Sequence, residues 1–255
     1  MKLEDAFGKG GASFMPYICC GDPNPEFTIR AVKALAAAGA DAIELGIPFS
    51  DPIADGMSIQ AASARALRSG MTPSKALDVL REIREQTQIP VIVMTYYNII
   101  LANGGEGFLR RARDAGADAL IVPDVPLEES VALQAACREA GLTLIRMVSL
   151  SCSDARLMKI SEKAEGFIYA VGALGTTGAR DNLGKEAAEL VQKMKGITGL
   201  PVAVGFGISK PAHAAALVEA GADGIIVGSA IADIYSGHIG KDGVIDEGGA
   251  LAELE

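Results

Sequence analysis

Short apolar runs alternate with amphipathic stretches along the whole chain. The apolar runs are nearly continuous, which is typical of strands buried on both faces of a parallel sheet. The stretches between them carry apolar residues three and four positions apart, which predicts helices that pack on one side. The eight predicted strands begin near residues 14, 42, 91, 119, 142, 167, 202 and 224. Because parallel neighbours need crossover connections, this alternation predicts a parallel sheet covered by helices.

The tetrapeptide Ala-Gly-Ala-Asp marks three junctions between a helix and the next strand. It occupies residues 38–41, 115–118 and 220–223, each time after an amphipathic stretch and before an apolar run. Glycine readily takes the left-handed conformation that ends many helices, so each copy predicts a helix end. Helix starts are indicated where Asn24 and Thr72 are each followed by proline, which pairs an N-capping side chain with a first-turn proline.

Eight strand and helix units in 255 residues predict an α/β fold, a single (β/α)8 TIM barrel with a short N-terminal helix and an extended loop after strand 2. The alternative is an open doubly wound sheet, which would carry a Gly-rich phosphate-binding turn directly after its first strand. That position holds CCGDPNP (residues 19–25), whereas the Gly-rich turns follow the last three strands. No linker or low-complexity segment interrupts the pattern, so residues 1–255 are predicted to form one domain.

Charge and residue types narrow the chemistry. The 32 acidic and 23 basic residues give a formal net charge of −9, which disfavours binding to nucleic acid or to anionic membranes. The four cysteines form no C-x-x-C pair and the first residues lack the apolar core of a secretory signal, so we expect a cytoplasmic protein. No predicted strand contains or ends in lysine, which disfavours a Schiff-base enzyme. His213 and His238 fall in or near outer helices, so no metal site is predicted.

Candidate catalytic carboxylates lie in and after the second strand. Ala42, Glu44 and Gly46 share one face of that strand, which leaves space beside the Glu44 carboxyl group. Burial there would raise the pKa of Glu44 toward neutrality, as an acid/base group requires. The alternative is a structural carboxylate. Asp51 and Asp55 follow in the extended loop, either as turn and helix-capping residues or as a second carboxylate above the barrel.

A phosphate site is indicated by small residues at the ends of the last three strands. The segments are GALGTTG (172–178), GFGIS (205–209) and the pair Gly228 and Ser229. If Gly228 and Ser229 open a short helix, its free N–H groups and the hydroxyl would bind a phosphate without any lysine. Ordinary turns in a Gly-rich protein are the alternative. Tyr169 lies beside these segments, either in the packing or against a ligand.

Six motifs resemble the tryptophan synthase α subunit family. AIELGIPFSDPIADG (42–56) is similar to its signature, and the other five follow in the family's order: SFMPYICCGDP, VMTYYN, LIVPDVPLEES, GFGIS and VGSAI. The resemblance implies a lyase that cleaves indole-3-glycerol phosphate to indole and glyceraldehyde 3-phosphate by a retro-aldol reaction without a cofactor. It also implies an α2β2 complex in which indole passes to a β subunit that uses pyridoxal phosphate.

The same resemblance implies roles for individual residues. Glu44 would protonate the indole ring carbon and assist the side-chain hydroxyl, while Asp55 would accept a hydrogen bond from the indole N–H. The residues implied to line the substrate or hold its phosphate are Tyr17, Tyr169, Thr177, Gly178, Gly207, Gly228 and Ser229. Those implied to meet the β subunit are Pro48, Asp51, Pro52, Asp124 and Pro126.

Other functions stay open on the sequence alone. One is a neighbouring isomerase or synthase of tryptophan biosynthesis, or a lyase that releases indole without a partner. Another is a silent barrel that only activates a β subunit. Retention of both Glu44 and Asp55 argues against the silent barrel.

Overall fold

The computed structural model describes residues 3–8, 10–172, 180–206, 208 and 210–255, and of residues 180–184 the backbone alone. The strands are β1 (Ser13–Cys19), β2 (Ile43–Gly46), β3 (Val91–Met94), β4 (Ala119–Ile121), β5 (Thr143–Leu144), β6 (Arg146–Ser149), β7 (Ile168–Val171), β8 (Val202–Val204) and β9 (Gly224–Val227). All their pairings are parallel, in the order β5-β4-β3-β2-β1-β9-β8-β7-β6.

The fifth predicted strand is divided in two, and this division nearly closes the sheet into a barrel. β5 pairs with β4 while β6 pairs with β7, so the short link at Ile145 joins the two ends of the sheet. The Ile145 N–H still donates to the Leu120 carbonyl at 2.9 Å, and beyond it the chain runs with β7. The predicted barrel is confirmed, with nine strand segments where eight were expected because the fifth strand changes partner.

Helices cover the outside of the sheet. They are α1 (Pro25–Ala37), α2 (Met57–Arg68), α3 (Pro73–Gln86), α4 (Tyr97–Ala102), α5 (Glu106–Asp114), α6 (Val131–Glu139), α7 (Asp154–Ser161), α8 (Arg180–Ile197), α9 (Pro211–Glu219), α10 (Ser229–Gly237) and α11 (Glu247–Leu254). Asn24 and Thr72 cap α1 and α3 as predicted, since their side chains accept from Phe27 N and Lys75 N. Among the helices that the structure describes, none has the length and apolar character needed to cross a membrane.

The two faces of each strand pack into different cores. Ile43 and Leu45 belong to the layer between sheet and helices, whereas Ala42 belongs to the barrel interior. The predicted N-terminal helix is a 3-10 helix, Leu3–Ala6, and its two end residues join the interior core. This helix fills the end of the barrel where strands begin, so the cavity lies at the end where strands finish, as is general for such barrels.

The three Ala-Gly-Ala-Asp segments end helices as the sequence predicts. Their glycines are left-handed, with φ of 104° at Gly39, 108° at Gly116 and 101° at Gly221. The aspartate of each segment then accepts a hydrogen bond from a backbone N–H at the start of another strand. The donor is the first residue of β3 or β8, or the second residue of β1. The bonds run from Phe14 N to Asp41 (3.0 Å), from Val91 N to Asp118 (2.9 Å) and from Val202 N to Asp223 (2.8 Å).

Candidate active site

Glu44 lies inside the barrel, near the end of β2. Its side chain is buried, with a residue exposure of 1%, and its backbone is level with Tyr17 of β1. The Tyr169 hydroxyl donates to Glu44 Oε2 at 3.4 Å. The sequence predicts, from the alternation of side chains along a strand, that Glu44 shares a face with Ala42 and Gly46. The structure has its carboxyl group on that face, inside the barrel.

Two glycines make room for the tyrosine rings beside Glu44. A Cβ atom at Gly46 would lie 2.1 Å from the Tyr17 hydroxyl, and one at Gly205 would lie 2.2 Å from the Tyr169 hydroxyl. Real Cβ atoms do not approach other atoms so closely, so a side chain at either position would displace the ring. Small residues at these strand ends are thus required by the packing of Tyr17 and Tyr169.

Burial changes the acidity of Glu44. Loss of solvent, joined by repulsion from Asp55, raises the pKa of Glu44 to about 8, although the hydrogen bond from Tyr169 opposes the rise. Burial favours the neutral form because a carboxylate without solvent or a cation is poorly stabilised. Glu44 therefore carries a proton at neutral pH and can donate it to a ligand.

Asp55 lies in the loop between β2 and α2 and faces the same cavity. Burial raises the pKa of Asp55 to about 6, while a hydrogen bond with Tyr96 lowers it. At neutral pH Asp55 is therefore mostly ionised, unlike Glu44. It does not cap α2, because the N-cap is Gly56, which makes no side-chain bond, so the capping role weighed for Asp55 is excluded.

Tyr96 supports this loop, and the sequence reasoning missed it. Its hydroxyl accepts a hydrogen bond from Ala54 N at 3.1 Å, and its ring stacks on Phe49 with centroids 5.0 Å apart. The available signal was the motif VMTYYN, which places Tyr96 just after β3, next to β2. Asp51 lies outside this arrangement: it is exposed and accepts from Ser50 Oγ at 2.6 Å.

A cavity of about 1060 Å³ brings most of the predicted residues together. Its polar lining includes Glu44, Asp55, Tyr17, Tyr169 and Ser229. Apolar side chains from β3, β4 and β6 complete it, namely Met94, Ile121 and Met147. Such a mixture suits a flat apolar ligand with a few polar groups. The predicted residues Thr177, Gly178 and Gly207 lie outside the described residues.

Helices α2 and α10 both begin at this cavity. Gly228 is the N-cap of α10 and makes no side-chain cap bond, so Ser229 opens the helix as the sequence predicts. The start of α2 lies beside it, since a Cβ atom at Gly56 would be 4.0 Å from Ser229 Oγ. The free N–H groups and positive dipole end of a helix favour an anion, so this part of the cavity suits a phosphate.

The five residues predicted to meet a partner lie in the loops after β2 and β4. Asp51 and Pro126 are exposed, Pro52 and Asp124 are half-buried, and Pro48 is buried by the chain itself and offers the least surface. The Asp124 carboxylate accepts from Tyr97 N at 3.0 Å and so holds the start of α4. Two large apolar side chains are also exposed nearby in the chain, Ile53 in the loop after β2 at 71% and Met57 at the start of α2 at 87%.

Arg146, which interrupts a predicted strand, is buried between sheet and helices with 6% exposure. Its Nη2 donates to Gln134 Oε1 at 2.7 Å, whereas its buried Nε has no hydrogen-bond partner among the residues that the structure describes. Burial lowers the pKa of Arg146. Within the described part of the chain, no cluster of three or more His, Cys, Asp or Glu side chains is arranged to hold a metal ion.

Comparison with known proteins identifies the family of this chain. The family model "Tryptophan synthase alpha chain" matches residues 3–244. The tryptophan synthase alpha chain of Halalkalibacterium halodurans is 50% identical over 231 residues, 90% of this chain and 86% of that protein. The one from Methanocaldococcus jannaschii is 43% identical over 247 residues, 96% of this chain and 87% of that protein.

Solved structures agree. The tryptophan synthase α subunit of Pyrococcus furiosus has a TM-score of 0.85 at 37% identity, covering 95% of this chain and 94% of that one. A chain of the α2β2 complex from the same organism has a TM-score of 0.86 at 38% identity, with the same coverage. On this evidence, the chain belongs to the tryptophan synthase alpha chain family.

Proposed function

We propose that this chain cleaves indole-3-glycerol phosphate to indole and glyceraldehyde 3-phosphate. The observation that carries the proposal is the pair of carboxyl groups in one cavity, one buried and one half-buried, with the pKa of Glu44 at about 8 and that of Asp55 at about 6. At neutral pH one is an acid and the other an anion, which is the division of roles that acid/base catalysis needs.

The retro-aldol reaction can then proceed with Glu44 as both acid and base. Protonated Glu44 gives its proton to ring carbon 3 of the indole, and the resulting positive charge on the ring is stabilised by the Asp55 carboxylate, which accepts from the ring N–H. The Glu44 carboxylate next takes the proton of the side-chain hydroxyl. The carbon–carbon bond breaks, its electron pair returns to the ring, and the aldehyde forms. Glu44 ends protonated, so the cycle needs no cofactor.

The remaining groups bind and orient the substrate. The N–H groups at the start of α10, with the Ser229 hydroxyl, would hold the phosphate, together with Thr177, Gly178 and Gly207 in the segments that the family resemblance assigns. Tyr17 and Tyr169 would pack against the indole, and the Tyr169 hydroxyl would orient Glu44. Fixing both ends of the substrate brings ring carbon 3 next to the acid.

We further propose that the chain works in the cytoplasm as the α subunit of an α2β2 complex, passing indole to a β subunit that uses pyridoxal phosphate. Exposed Ile53 and Met57 support this, since Ile53 lies in the loop after β2 and Met57, which lines the cavity, is the first residue of the helix that follows this loop. Apolar side chains exposed together beside polar residues are typical of protein interfaces. The relative from Pyrococcus furiosus is an α2β2 complex.

The test is an indole assay with purified chain and indole-3-glycerol phosphate, run with and without a β subunit. We expect indole in both cases and a faster rate with the partner. Glu44→Gln protein, purified in the same way, gives the background rate. Stimulation of the β subunit without any indole release would support a silent barrel instead, and turnover of a phosphoribosyl substrate without indole would support an isomerase.

A further inference from the structure

A partly buried ion pair joins three elements at the catalytic end of the barrel. Asp22 follows β1, and its side chain is fully buried. Arg65 of α2 donates to it from Nε and from Nη2, each at 2.8 Å. Tyr235 of α10 donates its hydroxyl to Asp22 Oδ2, also at 2.8 Å. One carboxylate therefore receives three hydrogen bonds from two helices.

Both helices that Asp22 binds begin at the cavity. α2 starts immediately after Asp55 and Gly56, and α10 starts at Ser229. Arg65 and Tyr235 lie in the later turns of their helices, at a distance from these starts. A short helix behaves as a rigid rod. Fixing α2 at Arg65, or α10 at Tyr235, therefore also sets the position of the N–H groups at the start of that helix.

The contacts around Asp22 make this a rigid anchor. Ser69 Oγ of the α2 C-cap donates to the Gly21 carbonyl at 3.3 Å, and the ring of Tyr235 packs against Phe27 with centroids 5.5 Å apart. A carboxylate held by a bidentate guanidinium has a defined orientation as well as a partner. The end of β1 thus fixes α2 and α10 relative to one another.

We propose that Asp22 is a positioning residue, which locks α2 and α10 to the end of β1 so that Asp55 and the phosphate-binding N–H groups at Ser229 keep a fixed separation. The proposal rests on the proposed function for its kinetic consequences. It also predicts that the two helices can be loosened separately, with different effects on substrate binding and turnover.

Loosening α10 alone should weaken the hold on phosphate. Tyr235→Phe removes the bond to Asp22 and keeps the ring that packs on Phe27. We expect its KM for indole-3-glycerol phosphate to rise about threefold to tenfold with kcat changed less, because a small displacement of binding groups is costly. Binding of inorganic phosphate, measured by calorimetry on the full chain, should weaken by a similar factor.

Loosening α2 alone should impair turnover instead. Arg65→Met frees the helix that follows Asp55, so kcat should fall more than KM rises, and Arg65→Lys should recover part of kcat. Asp118→Asn is the matched control, since it also breaks a partly buried pair with an arginine, Arg84, but at the opposite end of the barrel. It should leave KM, kcat and phosphate binding near wild type.

The outcomes separate this proposal from the proposed function. If wild type binds phosphate and Tyr235→Phe binds it equally well, the positioning role of Asp22 is wrong, whether or not the chain releases indole. Equal changes of KM and kcat in Tyr235→Phe and Arg65→Met, or no phosphate binding by wild type, would also overturn it. If phosphate binding responds as expected but indole never forms, only the proposed reaction fails.

Discussion

The two carboxyl groups that face the cavity and those at the opposite end of the barrel have different surroundings. At the end where strands begin, Asp118 accepts from a backbone N–H and pairs with Arg84, and Asp223 does the same with Lys195. At the other end, within the described residues, neither Glu44 nor Asp55 takes part in an ion pair, and burial raises the pKa of both. The same functional group is thus satisfied in Asp118 and Asp223, as it is in Asp22 near the cavity, and left with a proton to exchange in Glu44 and Asp55.

This contrast distinguishes carboxylates that stabilise the fold from carboxyl groups that are suited to proton transfer. A carboxylate that is held by both a backbone N–H and a basic side chain fixes the junction between a helix and a strand. A buried carboxyl group without a cation lowers the stability of the fold, because its charged form is poorly solvated. The same lack of solvent gives the group the near-neutral pKa that proton transfer requires. Barrels of this architecture carry their reactive groups at the strand ends and in the loops that follow them, which is where Glu44 and Asp55 lie.

The largest expected effect is on turnover. Glu44→Gln keeps the size of the side chain and removes the transferable proton, so indole release should fall by ~10²–10⁴. Asp118→Asn should change the rate less than about twofold at temperatures where both proteins are folded. Steady-state indole assays on the two variants measure this difference directly. Near-normal turnover by Glu44→Gln would remove the distinction between the two ends.

The next effect is on stability as a function of pH. The pKa of Glu44 rises from 4.5 to about 8 on folding, so the folded state holds this proton more tightly. Its contribution to stability is complete below pH 4.5 and is lost as the pH rises toward 8. Glu44→Gln lacks this titration, whereas Asp55 titrates in both proteins.

Urea unfolding of both proteins from pH 5 to pH 8 tests this. We expect the free energy of unfolding of Glu44→Gln, relative to wild type, to increase with pH by on the order of 3 kcal/mol. A difference that stays constant over this range would mean that Glu44 is already ionised in the folded protein at pH 5.

The smallest effect is expected at the paired end. Asp118→Asn loses the charge that pairs with Arg84, while its amide oxygen can still accept from Val91 N. We expect the free energy of unfolding to fall by about 1–2 kcal/mol, because a hydrogen bond to a charged group is lost at a partly buried site. Thermal and urea unfolding measure the loss. An unchanged stability would mean that the ion pair contributes nothing.

Local sequence patterns were sufficient for the fold and for the position of the Glu44 side chain. Alternation of apolar runs and amphipathic stretches predicted the barrel, and the left-handed glycine of each Ala-Gly-Ala-Asp segment predicted a helix end. The inward direction of the Glu44 side chain was predicted from the alternation of side chains in a strand, which has a period of two residues in every strand. These features depend on neighbours in sequence.

The remaining features depend on residues far apart in the chain. Asp22 meets Arg65 and Tyr235 only after the barrel closes, and nothing in their local sequence indicates the pairing. The contact between Tyr96 and the loop of Asp55 likewise follows from the pairing of β2 with β3. The division of the fifth strand at Ile145 depends on a change of partner that an apolar run does not reveal.

The central claim is that Glu44 acts in its protonated form beside an ionised Asp55. The most direct test is the pH dependence of kcat/KM for indole release, measured on wild type and on Asp55→Asn. For wild type we expect the rate to rise through a pKa near 6, as Asp55 ionises, and to fall through a pKa near 8, as Glu44 loses its proton. Asp55→Asn should lose the acidic limb and keep the basic one. A flat wild-type profile from pH 5 to pH 9, or an acidic limb that persists in Asp55→Asn, would contradict the account.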